Sequence, residues 1–266
     1  MLKFISFGSG SCGNCYYICV EDYGILIDTG IGIRKFKKYF SDYGLKFNTL
    51  RSIFVTHDHA DHIKAVGMIS GNYNLPVYAT EKVHDGLLRN YCVKKKVDSC
   101  NVRFIYANEA MSIGDLSVTP FHVPHDSLDN VGFKIVYNDI TFCLMTDIGH
   151  ITEDMACMIS EADYLVIEAN YDKEMLWTGM YPEYLKRRVS GGNGHLSNDL
   201  CAQAIIDNAS EKLRHIWLCH LSGENNHPEL ARKTVELALK NSGKHYFETL
   251  PVDVLKRNVP SDVYEL

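Results

Sequence analysis

The first thirty residues alternate short apolar runs with turns. Apolar stretches at 3–7, 16–20 and 24–27, separated by Gly-Ser-Gly and Glu-Asp-Tyr-Gly, read as consecutive β-strands. The period then changes. Over 31–43, Ile33, Phe36 and Phe40 recur at helical spacing with Arg34, Lys35, Lys37 and Lys38 opposite, which predicts a helix laid on a sheet with a solvated basic face. A strand over 52–56 precedes helices over 63–73 and 81–91, with a short strand at 76–79 between them. Strands follow at 102–106, 116–121, 131–137 and 140–145. Helix and strand then alternate: helix 152–160, strand 163–167, helix 197–208, strand 215–219 and helix 228–240. Strands crowd the early chain and alternation governs the later one, so the fold class is α/β (α+β), two sheets flanked by helices. No repeat, low-complexity tract or Pro-rich linker divides the chain, which reads as a single domain over 1–266.

Composition narrows the classes. The chain of 266 residues is 46% hydrophobic, ordinary for a globular protein with a sizeable core. Its formal charge of −6 argues against coating nucleic acid by charge alone, while leaving room for a local basic groove or for metal cations in a cleft. No apolar stretch reaches the length of about 20 residues that crosses a bilayer. The segment beginning Met1-Leu2-Lys3-Phe4 lacks a signal-peptide layout, so the expected address is cytoplasmic, with no membrane partner. Nine scattered cysteines, an odd number, favour reduced thiols over a disulfide framework there. Cys12 and Cys15 form a Cys-x-x-Cys pair in a glycine turn and read as buried or incidental thiols. Lys94-Lys95-Lys96 reads as a solvated loop.

The strand at 52–56 ends in the densest chemistry of the chain. Ser52-Ile53-Phe54-Val55-Thr56 runs directly into His57-Asp58-His59-Ala60-Asp61-His62. Imidazole and carboxylate hold zinc, manganese or iron, and a strand end fixes them on rigid backbone. His57 and His59 can point the same way from an extended segment, while Asp61 and His62 follow where the chain turns toward a helix and can address a second ion. An exposed polar turn is the bland reading, and a chance cluster has no reason to sit behind an apolar strand. Other strands end alike: Phe121-His122-Val123-Pro124-His125-Asp126, Met145-Thr146-Asp147 and Leu218-Cys219-His220. Core strands that each deliver His or Asp at one end turn a sheet edge into a metal cup.

The order His-x-His-x-Asp-His, a distal His, an Asp after a strand and a final His resembles the metallo-β-lactamase-fold hydrolases over nearly the whole chain. That resemblance implies an αββα sandwich with a dinuclear site at one sheet edge. It implies His57, His59 and His125 on one ion, Asp61, His62 and His220 on the other, and Asp147 bridging. His125 is preferred over His122 because the following Asp-Ser-Leu-Asp-Asn-Val-Gly-Phe matches the spacing of nuclease members; His122 sits inside its strand in a structural role. Asp147 departs from several β-lactam-cleaving enzymes, which use Cys there, and favours the phosphodiesterase and glyoxalase-like branches. His59, commonly Glu in the oxygen-reducing diiron branch, argues against a redox role.

Two later segments resemble ribonuclease Z. Glu168 ends the strand Tyr164-Leu165-Val166-Ile167, and His195 opens a helix in Gly194-His195-Leu196-Ser197-Asn198. The resemblance implies that they act as a proton-donating pair. Their structural readings are a helix cap for Glu168 and a backbone hydrogen bond for His195. Phe7 to Cys15, His62-Ile63-Lys64-Ala65-Val66-Gly67, the same Gly194 to Asn198 segment and His220-Leu221-Ser222-Gly223-Glu224-Asn225-Asn226 are similar to the bacterial YycJ (WalJ) exonuclease group. That group implies 5′-end digestion of double-stranded DNA in mismatch repair, with DNA-repair proteins as partners.

The implied chemistry is phosphodiester hydrolysis by a hydroxide held between two divalent ions, Zn²⁺ or Mn²⁺, with Fe²⁺ also compatible. Asp61 would orient the nucleophile, and His195, poised by Glu168, would protonate the departing oxygen. To hold nucleic acid, DNA or RNA, the segment 175–188 offers Trp177 and Tyr181 for base stacking and Lys186, Arg187 and Arg188 for phosphates. An ordinary amphipathic helix explains that segment equally. Two other functions compete: a small-molecule ester, thioester or lactone hydrolase on the same metals, and a non-catalytic metal-binding regulatory protein. Glu168, His195 and the segment similarities weigh against the first, and the full ligand set against the second.

Overall fold

A computed structural model describes residues 1–266. The chain divides into two compact units, the first built from 1–106, 127–130 and 256–266, the second from 107–126 and 131–255. The first unit holds β1 (Leu2–Gly8), β2 (Cys15–Val20), β3 (Tyr23–Ile27), α1 (Ile33–Asp42), β4 (Leu50–Phe54), α2 (Ala60–Ile63), α3 (Val66–Tyr73), β5 (Val77–Ala79), α4 (Glu81–Arg89) and β6 (Val102–Phe104). The second begins with β7 (Met111–Ile113), β8 (Leu116–His122), β9 (Val131–Tyr137), β10 (Ile140–Met145), α5 (Glu153–Glu161) and β11 (Tyr164–Glu168). It continues with α6 (Lys173–Thr178), α7 (Glu183–Val189), α8 (Asn198–Asn208), β12 (His215–Cys219), α9 (Pro228–Asn241) and β13 (Val252–Val254). The chain returns to the first unit for β14 (Tyr264–Glu265).

Each unit carries one seven-stranded sheet, ordered β14-β1-β2-β3-β4-β5-β6 in the first and β13-β12-β11-β10-β9-β8-β7 in the second. The two sheets share one plan. In the first, β14 to β3 pair antiparallel and β3 to β6 parallel. In the second, β7 to β10 pair antiparallel and β10 to β13 parallel. Parallel neighbours need a crossover, and α1, α2 to α3, α4, α5, α6 to α8 and α9 supply them in turn. This repeat of topology has no counterpart as a repeat of sequence.

Boundaries depart from the sequence pattern where a side contact intervenes. The single helix expected over 63–73 is broken at Ala65, whose N–H donates to the Thr29 carbonyl at 2.9 Å. The segment 175–188 forms two helices, because Pro182 stands at the N-cap of α7 in an extended conformation. β7, β13 and β14 are three residues or fewer, too short to show a period.

The apolar faces go where their spacing points. In the first unit Phe40 of α1 is fully buried, with Phe36, Phe47, Tyr17 and Phe7 at ring-centroid distances of 4.7, 5.0, 5.2 and 5.6 Å. Arg34, Lys35, Lys37 and Lys38 stand on the other side, away from that cluster. In the second unit α5, α8 and α9 bury Ile159, Ile205 and Val235 in one cluster with Leu165, Ile167 and Leu218 of β11 and β12. We expect Phe40→Ala to lower unfolding stability by about 3–5 kcal/mol. Lys37→Ala should change it by no more than about 0.5 kcal/mol, both read by urea denaturation.

Candidate metal centre

In the first unit β4 hands the chain to buried Val55, Thr56 and His57 before α2 begins. His59 is the N-cap of α2, Asp61 lies in its first turn and His62 is buried in its last. The rings of His57 and His62 are 4.1 Å apart, those of His57 and His59 4.6 Å, and His62 Nε2 is 3.6 Å from Asp61 Oδ2.

Beneath them lies Asp28, fully buried and held at φ 59° immediately after β3. Its Oδ1 accepts the Thr56 N–H at 2.9 Å, and its Oδ2 accepts the Thr56 hydroxyl at 2.8 Å and His62 Nδ1 at 2.7 Å. Having given its proton to Asp28, the Thr56 hydroxyl accepts from His57 Nδ1 at 3.0 Å. These partners place the proton on Nδ1 of both rings and the lone pair on Nε2, the tautomer a metal-binding histidine needs. Burial pushes the Asp28 carboxyl pKa up, and its contacts with His62 and Thr56 offset only part of that.

Two further residues clamp the turn. The Asn14 N–H donates to the Asp61 carbonyl at 2.7 Å, and Asn14 Nδ2 lies 3.3 Å from Asp61 Oδ2 and 2.8 Å from His62 Nε2. The Cys12 to Cys15 segment therefore reaches the site through Asn14. Cys15 is buried, which pushes its thiol pKa well up, and Cys12 is exposed. Gly30 rests on the same turn so closely that a Cβ would stand 1.5 Å from the Asp61 carbonyl oxygen. No side chain fits there.

In the second unit Asp147 follows β10 at φ 57°, Glu168 closes β11, and His220 follows β12 at φ 54°. Left-handed backbone at non-glycine residues is uncommon and is tolerated where surroundings enforce it. Here the enforcement is Glu168. Its fully buried Oε2 accepts the N–H groups of Ile148 at 2.7 Å and Leu196 at 3.1 Å. Its Oε1 accepts from His195 Nδ1 and His220 Nδ1, each at 2.9 Å, and from Asn170 Nδ2 at 3.3 Å. Asp147, Glu168, His195 and His220 offer ligand atoms that all lie within 4.8 Å of one another.

His125 joins the same group. Its Nδ1 donates to the Gly194 carbonyl at 3.0 Å, its Nε2 is 3.7 Å from Asp147 Oδ1, and its ring centroid is 5.1 Å from that of His195. Burial by itself would push the Glu168 pKa up, but the charge and hydrogen bond of His195, with the bond from His220, bring it down to about 2. For His195 burial opposes the cation, and the Glu168 carboxylate outweighs it, so the imidazole pKa is raised.

The other expected residues fall elsewhere. His122 is exposed at the last position of β8, at the edge of its strand rather than inside it. Trp177 is half exposed on α6 and Tyr181 lies between α6 and α7. Lys186 is buried, with its ammonium on the Trp177 carbonyl at 2.7 Å. Arg187 pairs with Glu183 at 3.0 Å and Arg188 with Asp126 at 2.6 Å. Asn14, Asp28, Thr56 and Asn170 join the site without standing out in the sequence. A signal for Asp28 existed: Ile27-Asp28-Thr29-Gly30 repeats the strand-Asp-x-Gly pattern of Asp147-Ile148-Gly149.

Residues 23–216 match the model of the beta-lactamase superfamily domain. The chain is 33% identical over 98% of its length to the exodeoxyribonuclease YycJ of Bacillus anthracis, covering 98% of that protein. It is 34% identical over 88% of its length to the exodeoxyribonuclease WalJ of Streptococcus pneumoniae, covering 86% of that protein. The chain belongs to the β-lactamase superfamily. Zn²⁺-bound PqqB from Methylobacterium extorquens shares the fold, with a TM-score of 0.73 at 15% identity over 98% of this chain and 99% of that one. This superfamily member is thus a hydrolase of the metallo-β-lactamase fold, and its nitrogen and oxygen donors suit borderline and hard divalent ions.

Glu168→Ala strands the donors that converge on this carboxylate and is expected to lower stability by about 3–5 kcal/mol. The depressed pKa also sets a pH dependence. The contribution of the Glu168 carboxylate is complete above the ordinary glutamate value of about 4.3 and is lost as pH falls through about 2. Urea unfolding of chelator-treated protein at a series of acidic pH values should show this slope, flattened in Glu168→Gln.

Proposed function

We propose that this chain is a metal-dependent phosphodiesterase that degrades double-stranded DNA as a 5′ to 3′ exonuclease in DNA repair. His57, His59 and His125 would hold one divalent ion and Asp61, His62 and His220 the other, with Asp147 available as a further ligand. Zinc or manganese suits these donors, and iron is chemically compatible. Such ions, when bound, supply an activated water and neutralise charge on the phosphoryl oxygens. The chain's own side chains then complete the reaction. Asp61 orients the attacking water, and His195, with Nδ1 held by Glu168, delivers the proton on Nε2 to the departing 3′-oxygen.

The observation that carries this reading is the Nδ1 to carboxylate bond of 2.9 Å between His195 and fully buried Glu168, with Asp147 Oδ1 3.8 Å from the same nitrogen. A carboxylate there raises the imidazole pKa and so favours the protonated form that a general acid for an alkoxide requires. The similarity to two exodeoxyribonucleases supports DNA as the substrate.

Digestion of end-labelled duplex DNA by protein of defined metal content tests the reading, with bis(p-nitrophenyl) phosphate and a thioester as competing substrates. Loss of label from the 5′ end is expected. Thioester turnover without DNA cleavage would assign the chain to small-molecule hydrolysis. Replacement of His195 by Ala should cut turnover by about a hundredfold to ten-thousandfold and leave two ions per chain by elemental analysis. In Glu168→Gln the partner that raises the His195 pKa is gone, so the alkaline limb of the rate profile should move to lower pH. An unmoved limb would remove Glu168 from that role.

A further inference from the structure

The geometry points to a DNA-backbone subsite in a basic cavity of the first unit, beside the turn that carries Asp61 and His62. The cavity has a volume of about 520 Å³ and is lined by Arg34, Lys35, Lys64 and Lys94, with the thiols of Cys12 and Cys92. No acidic side chain lines it. None of the four cations is buried and none is in an ion pair. Their neighbours behave differently: Lys95 reaches Asp98 at 4.0 Å, and Lys96 donates to the carbonyls of Leu87 at 3.0 Å and Asn90 at 2.8 Å.

Three separate segments bring like charges to one place in a chain whose formal charge is −6. Gathering them costs repulsion that an anionic ligand removes. The first turn of α1, which holds Arg34 and Lys35, contains no acidic residue and has no side-chain cap, so the helix dipole adds to the positive potential of those side chains. The cations come from α1, from the position after α2 and from the loop after α4, an arrangement suited to successive phosphates of a polyanion. The cavity also adjoins the proposed chemistry. Lys64 is two residues beyond His62, and Gly30, which rests on the Asp61 carbonyl, is two residues before Gly32 of the cavity lining. The ligand is therefore the phosphodiester backbone of DNA beside the scissile bond, an assignment that rests on the exonuclease reading above.

The test uses the metal-loaded full chain carrying His195→Ala, so that bound DNA is consumed far more slowly than it binds. Duplex DNA affinity is measured over a salt series with and without Arg34→Ser, Lys64→Ser and Lys94→Ser. The log–log salt slope should become shallower by about 0.9 for each phosphate that the variant no longer neutralises. Bound DNA should slow iodoacetamide labelling of Cys12, while exposed Cys100 and Cys157 label at an unchanged rate. With His195 intact, the triple variant should hydrolyse bis(p-nitrophenyl) phosphate as the parent does and lose activity on DNA. A parent that cleaves DNA, with an unchanged slope in the variant and no protection of Cys12, overturns the subsite alone. A parent that neither binds nor cleaves DNA overturns both the subsite and the exonuclease reading.

Discussion

Two buried carboxylates, Asp28 and Glu168, carry the local architecture of the site. A carboxylate taken out of water is costly unless hydrogen bonds replace its hydration, and each is met by converging donors, three on Asp28 and five on Glu168. The bonds that solvate these carboxylates also fix the histidines above them. An imidazole whose Nδ1 proton is committed to a buried oxygen presents Nε2 as a base, and its ring cannot turn without stranding that oxygen. Solvation of a buried charge and orientation of the proposed metal ligands are therefore one constraint.

The sheets deliver these groups because of how their strands end. In both units the chemistry follows the carboxyl ends of parallel strands, where crossovers begin and backbone N–H groups open toward one edge, the general location of sites in open α/β sheets. Asp28 follows β3 and His57 comes shortly after β4, while Asp147, Glu168 and His220 belong to the ends of β10, β11 and β12. Asp28, Asp147 and His220 share left-handed backbone at φ 59°, 57° and 54°. Reversing φ one residue past β3 and β12, and two past β10, breaks the alternation of side chains.

Charge is organised locally rather than in the total. With a formal charge of −6, attraction of a polyanion depends on where cations stand unpaired. In the basic triplet of α7, buried Lys186 donates to a carbonyl, and the exposed Arg187 and Arg188 pair with carboxylates. Arg34, Lys35, Lys64 and Lys94 are free of such partners around a single cavity.

Most of the fold and the proposed ligand set could be read from the chain itself. Alternating and helical periods placed the long elements, since burial of one face imposes that spacing, and dense His/Asp runs behind apolar strands marked His57 to His62, His125, Asp147 and His220. The short strands β7, β13 and β14 carry no period, and the break of the helix at Ala65 depends on a carbonyl thirty-six residues away, at Thr29. Asn14 and Thr56 stayed hidden because a lone polar residue looks the same in the sequence whether it faces water or lies beneath a histidine. Residue type and spacing thus determined which side chains are candidate metal ligands and which strands carry them. Which carboxylate orients which imidazole, and which cations remain unpaired, only the tertiary structure decided, because both depend on contacts between segments remote in sequence.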